Sequence, residues 1–268
     1  MSRVITALIF LPVLIASIRF KELELIFALL AAAAIVLGVY EFYQLARRRE
    51  MQPDTVVGMT FAVGVIAVFY LVELDLLLAV LPAFVITTLI VAALRGAPFD
   101  KMLSSAGATI LGVLYVALLG GFLISVRTGF AQPRAAQLLF FFFFVLMGSD
   151  IAAYYTGRTL GKHKLAPAIS PGKTWEGAVG GMIASLLAAA IAHFWFFPEL
   201  KLAAALPLAA AMNVLGVVGD LTESALKRGA GAKDAANILP GHGGLLDRLD
   251  SLLFNAPVIY YFGNLYFK

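Results

Sequence analysis

The stretch "AMNVLGVVGDLTESALKR" (residues 211–228) changes from an almost wholly apolar run to a charged one within the length of a single helix. Its apolar part has the character of a membrane span, and a carboxylate such as Asp220 at the end of a span is costly unless it is paired or binds a cation. A helix would place Asp220, Glu223 and Lys227 on one face, because these residues are three and four positions apart. The stretch therefore predicts a membrane helix that ends in a functional polar face.

The composition of the whole chain extends this prediction. The 268 residues are 62% hydrophobic and 13% charged, whereas soluble domains are about half apolar and about a quarter charged. So much apolar surface predicts a polytopic membrane protein. The net charge of +4 is spread over short clusters between apolar runs, which indicates a positive-inside bias rather than nucleic-acid binding. The chain has no cysteine, which excludes disulfides and thiolate metal sites.

Apolar runs of roughly membrane-spanning length recur along the chain. We expect an all-α fold with about nine transmembrane helices and a polar cavity, formed by a single membrane domain over residues 1–268. Within it, residues 1–104 are expected mainly to pack, and residues 105–268 to carry the catalytic site. The first run is followed directly by another hydrophobic run, which favours an uncleaved span over a signal peptide. The predicted helices lie near residues 4–18, 23–40, 55–72, 76–94, 105–126, 135–156, 175–197, 202–221 and 251–266.

The distribution of Lys and Arg predicts the orientation of these helices. If the N-terminus lies in the cytoplasm, most of the basic residues fall on cytoplasmic loops, including the two long polar loops 157–174 and 222–250. We therefore expect these two loops to meet at the cytoplasmic mouth of the membrane domain. Asp150, deeper in the sixth span, should need a polar partner or cavity. Glu41, followed by the basic Arg47–Arg49, is interpreted as part of an interfacial segment.

The second polar loop combines glycines with charged residues. "RGAGAK" (228–233) and "LPGHGGLLDR" (239–248) offer unobstructed backbone N–H groups and interleaved cations, both of which suit a polyphosphate. Asp247 and Asp250 stand one helical turn apart, and oxygen ligands without cysteine suit Mg²⁺. Spacing alone leaves open a simpler interpretation, in which the acids only form ion pairs at the membrane surface. His242, between two glycines, fits a phosphate contact or a plain turn.

The first polar loop contains "SPGKT" (170–174), which invites comparison with a P-loop. A P-loop requires glycine at the position that Pro167 occupies, so we exclude an ATPase of that type. Ser170 and the following proline instead predict a helix start, with Lys173 and Thr174 in its first turn. The free N–H groups of a helix N-terminus suit an anion.

Three segments together resemble the phosphatidate cytidylyltransferases, the family also called CDP-diacylglycerol synthases. "SALKRGAGAKDAANILPGHGGLLDRLD" (224–250) fills every defining position of the family signature. "SPGKTWEG" (170–177) and the pattern D-x-x-A-Y-x-x-G-R at 150–158 also match, and "RVITALIFLPV" (3–13) is similar to the family's opening. The resemblance covers nearly the whole chain, and its specific part is the C-terminal half.

The resemblance implies that CTP and phosphatidic acid react to CDP-diacylglycerol and pyrophosphate in the lipid bilayer of the inner cell membrane, with the active site on the cytoplasmic face. It implies a metal site at Asp220 and Asp247 for Mg²⁺, with K⁺ as a candidate second ion, and it suggests a homodimer. We do not expect His242 to be an essential base, since the nucleophile is already an anion. The expected catalytic residues are Lys173, Asp220, Lys227, Arg228, Lys233, Asp247 and Arg248, and the expected substrate contacts are Ser170, Thr174, Ser224, His242, Gly243 and Gly244.

Three alternatives stay open on the sequence. A related membrane cytidylyltransferase could act on another lipid phosphate. A transporter would also carry intramembrane acids, although its ions would not gather on one face and an internal repeat would be expected. A non-catalytic scaffold would leave the filled signature unexplained.

Overall fold

The computed structural model of the protein describes residues 2–96, 99–233 and 244–267, with side chains described from residue 11 onward. These residues form ten α-helices and one short two-stranded sheet. The helices are α1 (Ser2–Arg19), α2 (Glu24–Arg47), α3 (Thr55–Leu71), α4 (Leu77–Leu94), α5 (Met102–Gly112), α6 (Leu119–Thr128), α7 (Arg134–Leu160), α8 (Trp175–Trp195), α9 (Leu202–Gly229) and α10 (Leu246–Phe267), and the strands are β1 (Lys164–Ala166) and β2 (Ser170–Thr174).

The helical architecture of the prediction is confirmed. Each predicted apolar run is a helix, and the fifth run comprises α5 and α6, which a π-helical turn (Val113–Leu118) joins without a break. In the described part of the chain, six helical segments have the length and hydropathy to cross a membrane, so the chain is a multi-pass membrane protein. These segments are Lys21–Arg47, Leu74–Leu94, Phe99–Thr128, Arg134–Leu160, Trp175–Trp195 and Leu202–Gly229.

One prediction about the first polar loop is wrong. The helix does not start at Ser170; α8 begins at Trp175 and is capped by Thr174, whose Oγ1 accepts a hydrogen bond from the Gly177 N–H at 3.1 Å. The loop itself contains a short antiparallel hairpin of β1 and β2, with Lys164 opposite Thr174, which the sequence did not predict within this all-α fold. A serine–proline pair fits an edge strand as well as a helix start, and pairing with β1 selects the strand.

The second polar loop is shorter than predicted. Helix α9 continues to Gly229, and α10 already begins at Leu246, so most of the charged residues lie on helices. The two helices approach closely at Gly219, where an added Cβ would lie 2.7 Å from the backbone oxygen of Asp250. Glycine thus brings the polar end of α9 against the first turns of α10.

The N-terminal helices are tied to one another by buried polar contacts. Arg127 on α6 is fully buried and donates hydrogen bonds to the backbone oxygens of Ser17 (3.0 Å) and Phe20 (2.8 Å). It also forms a 2.9 Å ion pair with Glu24. A buried guanidinium is tolerated only when its donors are paired, and these contacts fix the turn between α1 and α2 against α6.

Candidate active site

A cavity of about 1220 Å³ opens between α1, α7, the hairpin, α9 and α10. Its wall has two chemically distinct parts. The charged part is formed by Asp150, Arg158, Lys164, Lys173, Asp220, Asp247, Arg248 and Asp250. The apolar part is formed by Leu11, Leu14, Ile15, Ile18, Phe140, Phe143, Leu146 and Met147. One continuous cavity can therefore receive an amphiphile with a charged head and an apolar tail.

An ion pair at the charged part joins the hairpin to α9. Lys173 Nζ lies 2.5 Å from Asp220 Oδ2, so the last residues of β2 carry a cation to the polar end of α9. Asp150 on α7 and Asp250 on α10 line the same charged part of the cavity. Asp150 therefore faces a polar cavity, as we expected of an acid within a span.

A second ion-pair cluster joins α9 to α10. Lys227 Nζ lies 2.5 Å from Glu223 Oε2 and 2.6 Å from Asp247 Oδ1. The other carboxylate oxygen of Asp247 accepts a 2.9 Å hydrogen bond from the Gly244 N–H. Glu223 is fully buried, so Lys227 neutralises an acid that water does not reach. This cluster sets the first turn of α10 at a fixed place beside α9.

The predicted site residues divide into groups. Ser170, Lys173, Thr174, Asp220, Asp247 and Arg248 line the cavity. Three further predicted residues support them or the nearby backbone: Lys227 and Gly244 bind Asp247, and Arg228 donates hydrogen bonds to the backbone oxygens of Ile169 (3.3 Å) and Ala232 (3.2 Å). Ser224 donates a long 3.4 Å bond to Asp220, and Lys233 is exposed. His242 and Gly243 lie outside the described residues.

The acids of the cavity fit magnesium as part of a larger ligand set. Within the described ranges, no three His, Cys, Asp or Glu residues are grouped as a complete protein-only metal site. Mg²⁺ is commonly held by one or two carboxylates together with waters and substrate phosphates. Asp220 and Asp247 both line the cavity, so carboxylate oxygens that could contribute to such a ligand set are present.

The sequence did not predict one contact of the site region. Glu41 is fully buried, and its two oxygens accept hydrogen bonds from the N–H groups of Leu245 (2.9 Å) and Leu246 (2.7 Å). The first N–H groups of a helix lack partners within that helix, and α2 provides the acceptors for α10. One feature of the sequence could have predicted this contact. Glu41 follows a long apolar run closely, and an acid in that position needs a partner.

Comparison with known proteins extends these observations. Residues 1–266 match the sequence profile of the Cytidylyltransferase family. The chain is 38% identical over 263 residues to a phosphatidate cytidylyltransferase of Pseudomonas aeruginosa, covering 96% of this chain and 94% of that protein. Similar proteins of the same description occur in Bacillus subtilis (38% over 163 residues, 61% of this chain and 58% of that protein) and Haemophilus influenzae (43% over 129 residues, 47% and 45%).

Proposed function

The chain belongs to the cytidylyltransferase family, and on that premise we propose that it transfers the cytidylyl group of CTP to phosphatidic acid. The products are CDP-diacylglycerol and pyrophosphate, as expected of a nucleotidyltransferase of phospholipid biosynthesis. The observation that carries this proposal is the cavity whose charged part, around Lys173 and Asp220, continues into an apolar part between α1 and α7. A lipid phosphate and a nucleotide can meet at the charged part while acyl chains occupy the apolar part.

The reaction forms a bond between a phosphate oxygen of the lipid and the α-phosphorus of CTP. The bond between the α-phosphorus and the oxygen that bridges to the β-phosphate breaks, and its electron pair leaves with pyrophosphate. Because the attacking oxygen already carries negative charge, a strong general base is unnecessary. Both reactants are anions, so catalysis must come mainly from positioning and charge neutralisation. Lys173, Arg248, Arg158 and Lys164 are the cations of the cavity wall that can serve this purpose.

We assign Mg²⁺ binding to Asp220 and Asp247, with K⁺ as a candidate second ion. The metal would supply additional positive charge to the phosphates of CTP. Lys173 and Lys227 form ion pairs with these two carboxylates, so each acid is oriented by a lysine. Lys227 serves as a support for Asp247, and Lys173, on the cavity wall, is available to a substrate phosphate.

The membrane arrangement that we propose has about nine crossings, with the charged part of the cavity opening to the cytoplasm and the apolar part toward the lipid. The excess of Lys and Arg on the corresponding loops supports this orientation. A location in the inner cell membrane and a homodimeric state are expectations from the family resemblance.

Pyrophosphate release from CTP by the purified protein, with and without phosphatidic acid, tests the proposal. We expect release that depends on both phosphatidic acid and Mg²⁺, with CDP-lipid formed in equal amount. A related enzyme for another lipid phosphate would instead prefer that lipid in a competition assay. Lipid-dependent flux across vesicles without turnover of CTP would support a transporter and contradict the proposal.

A further inference from the structure

Helix α2 contacts both ends of the connection that leads from α9 to α10. Glu41 binds the N-terminus of α10 through the N–H groups of Leu245 and Leu246. Arg49, just beyond the end of α2, donates from Nε to the backbone oxygen of Gly229, the last residue of α9. A helix of the N-terminal half therefore reaches the connection that contains most of the family signature.

The charges at the two contacts are complementary to the helix ends that they meet. The N-terminus of a helix carries a partial positive charge and its C-terminus a partial negative charge. Glu41 places a carboxylate at the first, and Arg49 places a guanidinium at the second. Hydrogen bonds between N–H groups and a carboxylate are stronger than those between neutral groups, and the Glu41 carboxylate makes two of them while fully buried.

The packing of α2 against α10 shows a second, independent feature at the same place. Gly38 lies three residues before Glu41 and so shares its helix face. An added Cβ at Gly38 would lie 3.3 Å from Leu249 Cδ1 and 2.9 Å from Val116 Cγ1. The glycine thus leaves the space in which the first turn of α10 rests on α2, beside the Glu41 carboxylate.

That first turn of α10 carries Asp247, Arg248 and Asp250 to the cavity wall. Lys227 fixes Asp247 relative to α9, and Glu41 fixes the start of the same turn relative to α2. We propose that Glu41 and Arg49 are positioning residues that hold the two ends of the α9–α10 connection. By doing so they keep the acids of α10 at the positions relative to the cations of the cavity that the bound substrates require. This role rests on the proposed function, and neither side chain lines the active cavity.

The decisive variant is Glu41→Gln, which keeps nearly the same volume but removes the charge and turns an NH₂ group toward one of the two amides. We expect kcat of the folded enzyme to fall by ~10²-fold, since small displacements of reacting groups have effects of this size. KM for phosphatidic acid should stay within about twofold of wild type, because the apolar part of the cavity is unchanged. Stabilisation of the protein by CTP and Mg²⁺ without lipid, measured as a rise in Tm, should shrink.

Arg49→Gln tests the other end of the connection at an exposed position where failure to fold is not expected. Its kcat should fall by about tenfold, the effect of about 1.4 kcal/mol. Ser125→Ala is the matched control, because it removes a buried 2.6 Å hydrogen bond to the backbone oxygen of Phe69 away from the active cavity. This control should lower Tm modestly, because a buried hydrogen bond is lost, and leave kcat per folded molecule unchanged.

The outcomes separate the inference from the function on which it rests. If wild type converts CTP and phosphatidic acid but Arg49→Gln and folded Glu41→Gln do so at the wild-type kcat, the positioning role is wrong. An equal fall in kcat for Ser125→Ala would also overturn it, since the loss would then report general destabilisation. If wild type forms no CDP-lipid, the proposed function fails. The positioning role can then still be tested by comparing the rise in Tm that CTP and Mg²⁺ cause in wild type and in each variant.

Discussion

Lys173 Nζ and Asp220 Oδ2 form a 2.5 Å ion pair on the wall of the cavity, between the last strand of the hairpin and the polar end of α9. Both side chains remain partly exposed to the cavity, with 23% of Lys173 and 38% of Asp220 accessible. Such an ion pair neutralises the Asp220 carboxylate while the Lys173 ammonium group stays accessible to a substrate phosphate. The hairpin, which the sequence did not predict, is the element that brings Lys173 to this position.

Replacing Lys173 by Met should lower kcat/KM for CTP by ~10²-fold, because a preorganised positive group facing developing phosphate charge has an effect of that order. Steady-state pyrophosphate release measures the change. Lys201→Met is a suitable control, since Lys201 is exposed and does not line the active cavity. A Lys173→Met enzyme within twofold of wild type would remove this residue from the mechanism.

The metal assignment predicts that Asp220→Asn and Asp247→Asn each lower the rate by at least about 10²-fold, since a metal that neutralises phosphate charge contributes several kcal/mol. The assay is CDP-lipid formation over a Mg²⁺ series. Any residual activity should require more Mg²⁺ than wild type. Asp75→Asn, at an exposed acid between α3 and α4, should behave as wild type, and near-normal activity of the two cavity variants would contradict the assignment.

The cluster around Lys227 predicts a separation of stability from activity. Lys227→Met leaves buried Glu223 without its cation, and breaking a buried ion pair in this way costs about 3–5 kcal/mol. Thermal unfolding in detergent should therefore show a clear drop in Tm. The double variant Lys227→Met/Glu223→Gln should regain much of the stability but little of the activity, because Asp247 still lacks its lysine. Full recovery of activity would show that Lys227 acts only on stability.

The apolar part of the cavity predicts an effect on lipid tails alone. Ile15→Trp adds bulk at the cavity wall formed by α1 and should reduce kcat/KM for long-chain phosphatidic acid relative to a short-chain form by about tenfold, the effect of about 1.4 kcal/mol. KM for CTP should not change. Val13→Trp, on the same helix but outside the cavity wall, is the matched control. Equal effects on both chain lengths would place the acyl chains elsewhere.

The close approach of α9 and α10 predicts a packing effect at Gly219. Gly219→Ala would place its Cβ 2.7 Å from the Asp250 backbone oxygen and 3.2 Å from the Phe254 ring, so α10 must shift, at a cost of about 1–3 kcal/mol. Both Tm and activity should fall. Gly148→Ala meets nothing within 4 Å and should raise stability slightly, because alanine is the better helix former. An equal rise in Tm for both variants would show that α9 and α10 can move apart at Gly219 without cost.

The positions of the helices follow from the apolar pattern of the sequence. Backbone groups in hydrocarbon must be paired within the same segment, so apolar runs of this length become helices whatever their neighbours are. The predicted runs and the observed helices accordingly agree along the chain, except where charge extends a helix beyond its apolar part. Helix α9 runs on through Glu223 and Lys227, because these residues are good helix formers and pair with each other one turn apart. Lys227 also pairs with Asp247 on α10.

The contacts between polar residues, in contrast, depend on how the helices pack. Glu41 and Leu245 are 204 positions apart, and no local pattern connects an acid on α2 with the first N–H groups of α10. The pairing of Lys173 with Asp220 likewise depends on the hairpin. Strand β2 forms because it pairs with β1, and its own residues do not specify a strand. Local sequence sets backbone conformation and hydropathy, whereas contacts between side chains that are distant in sequence follow from how the helices pack. The charged part of the cavity consists of contacts of this second kind.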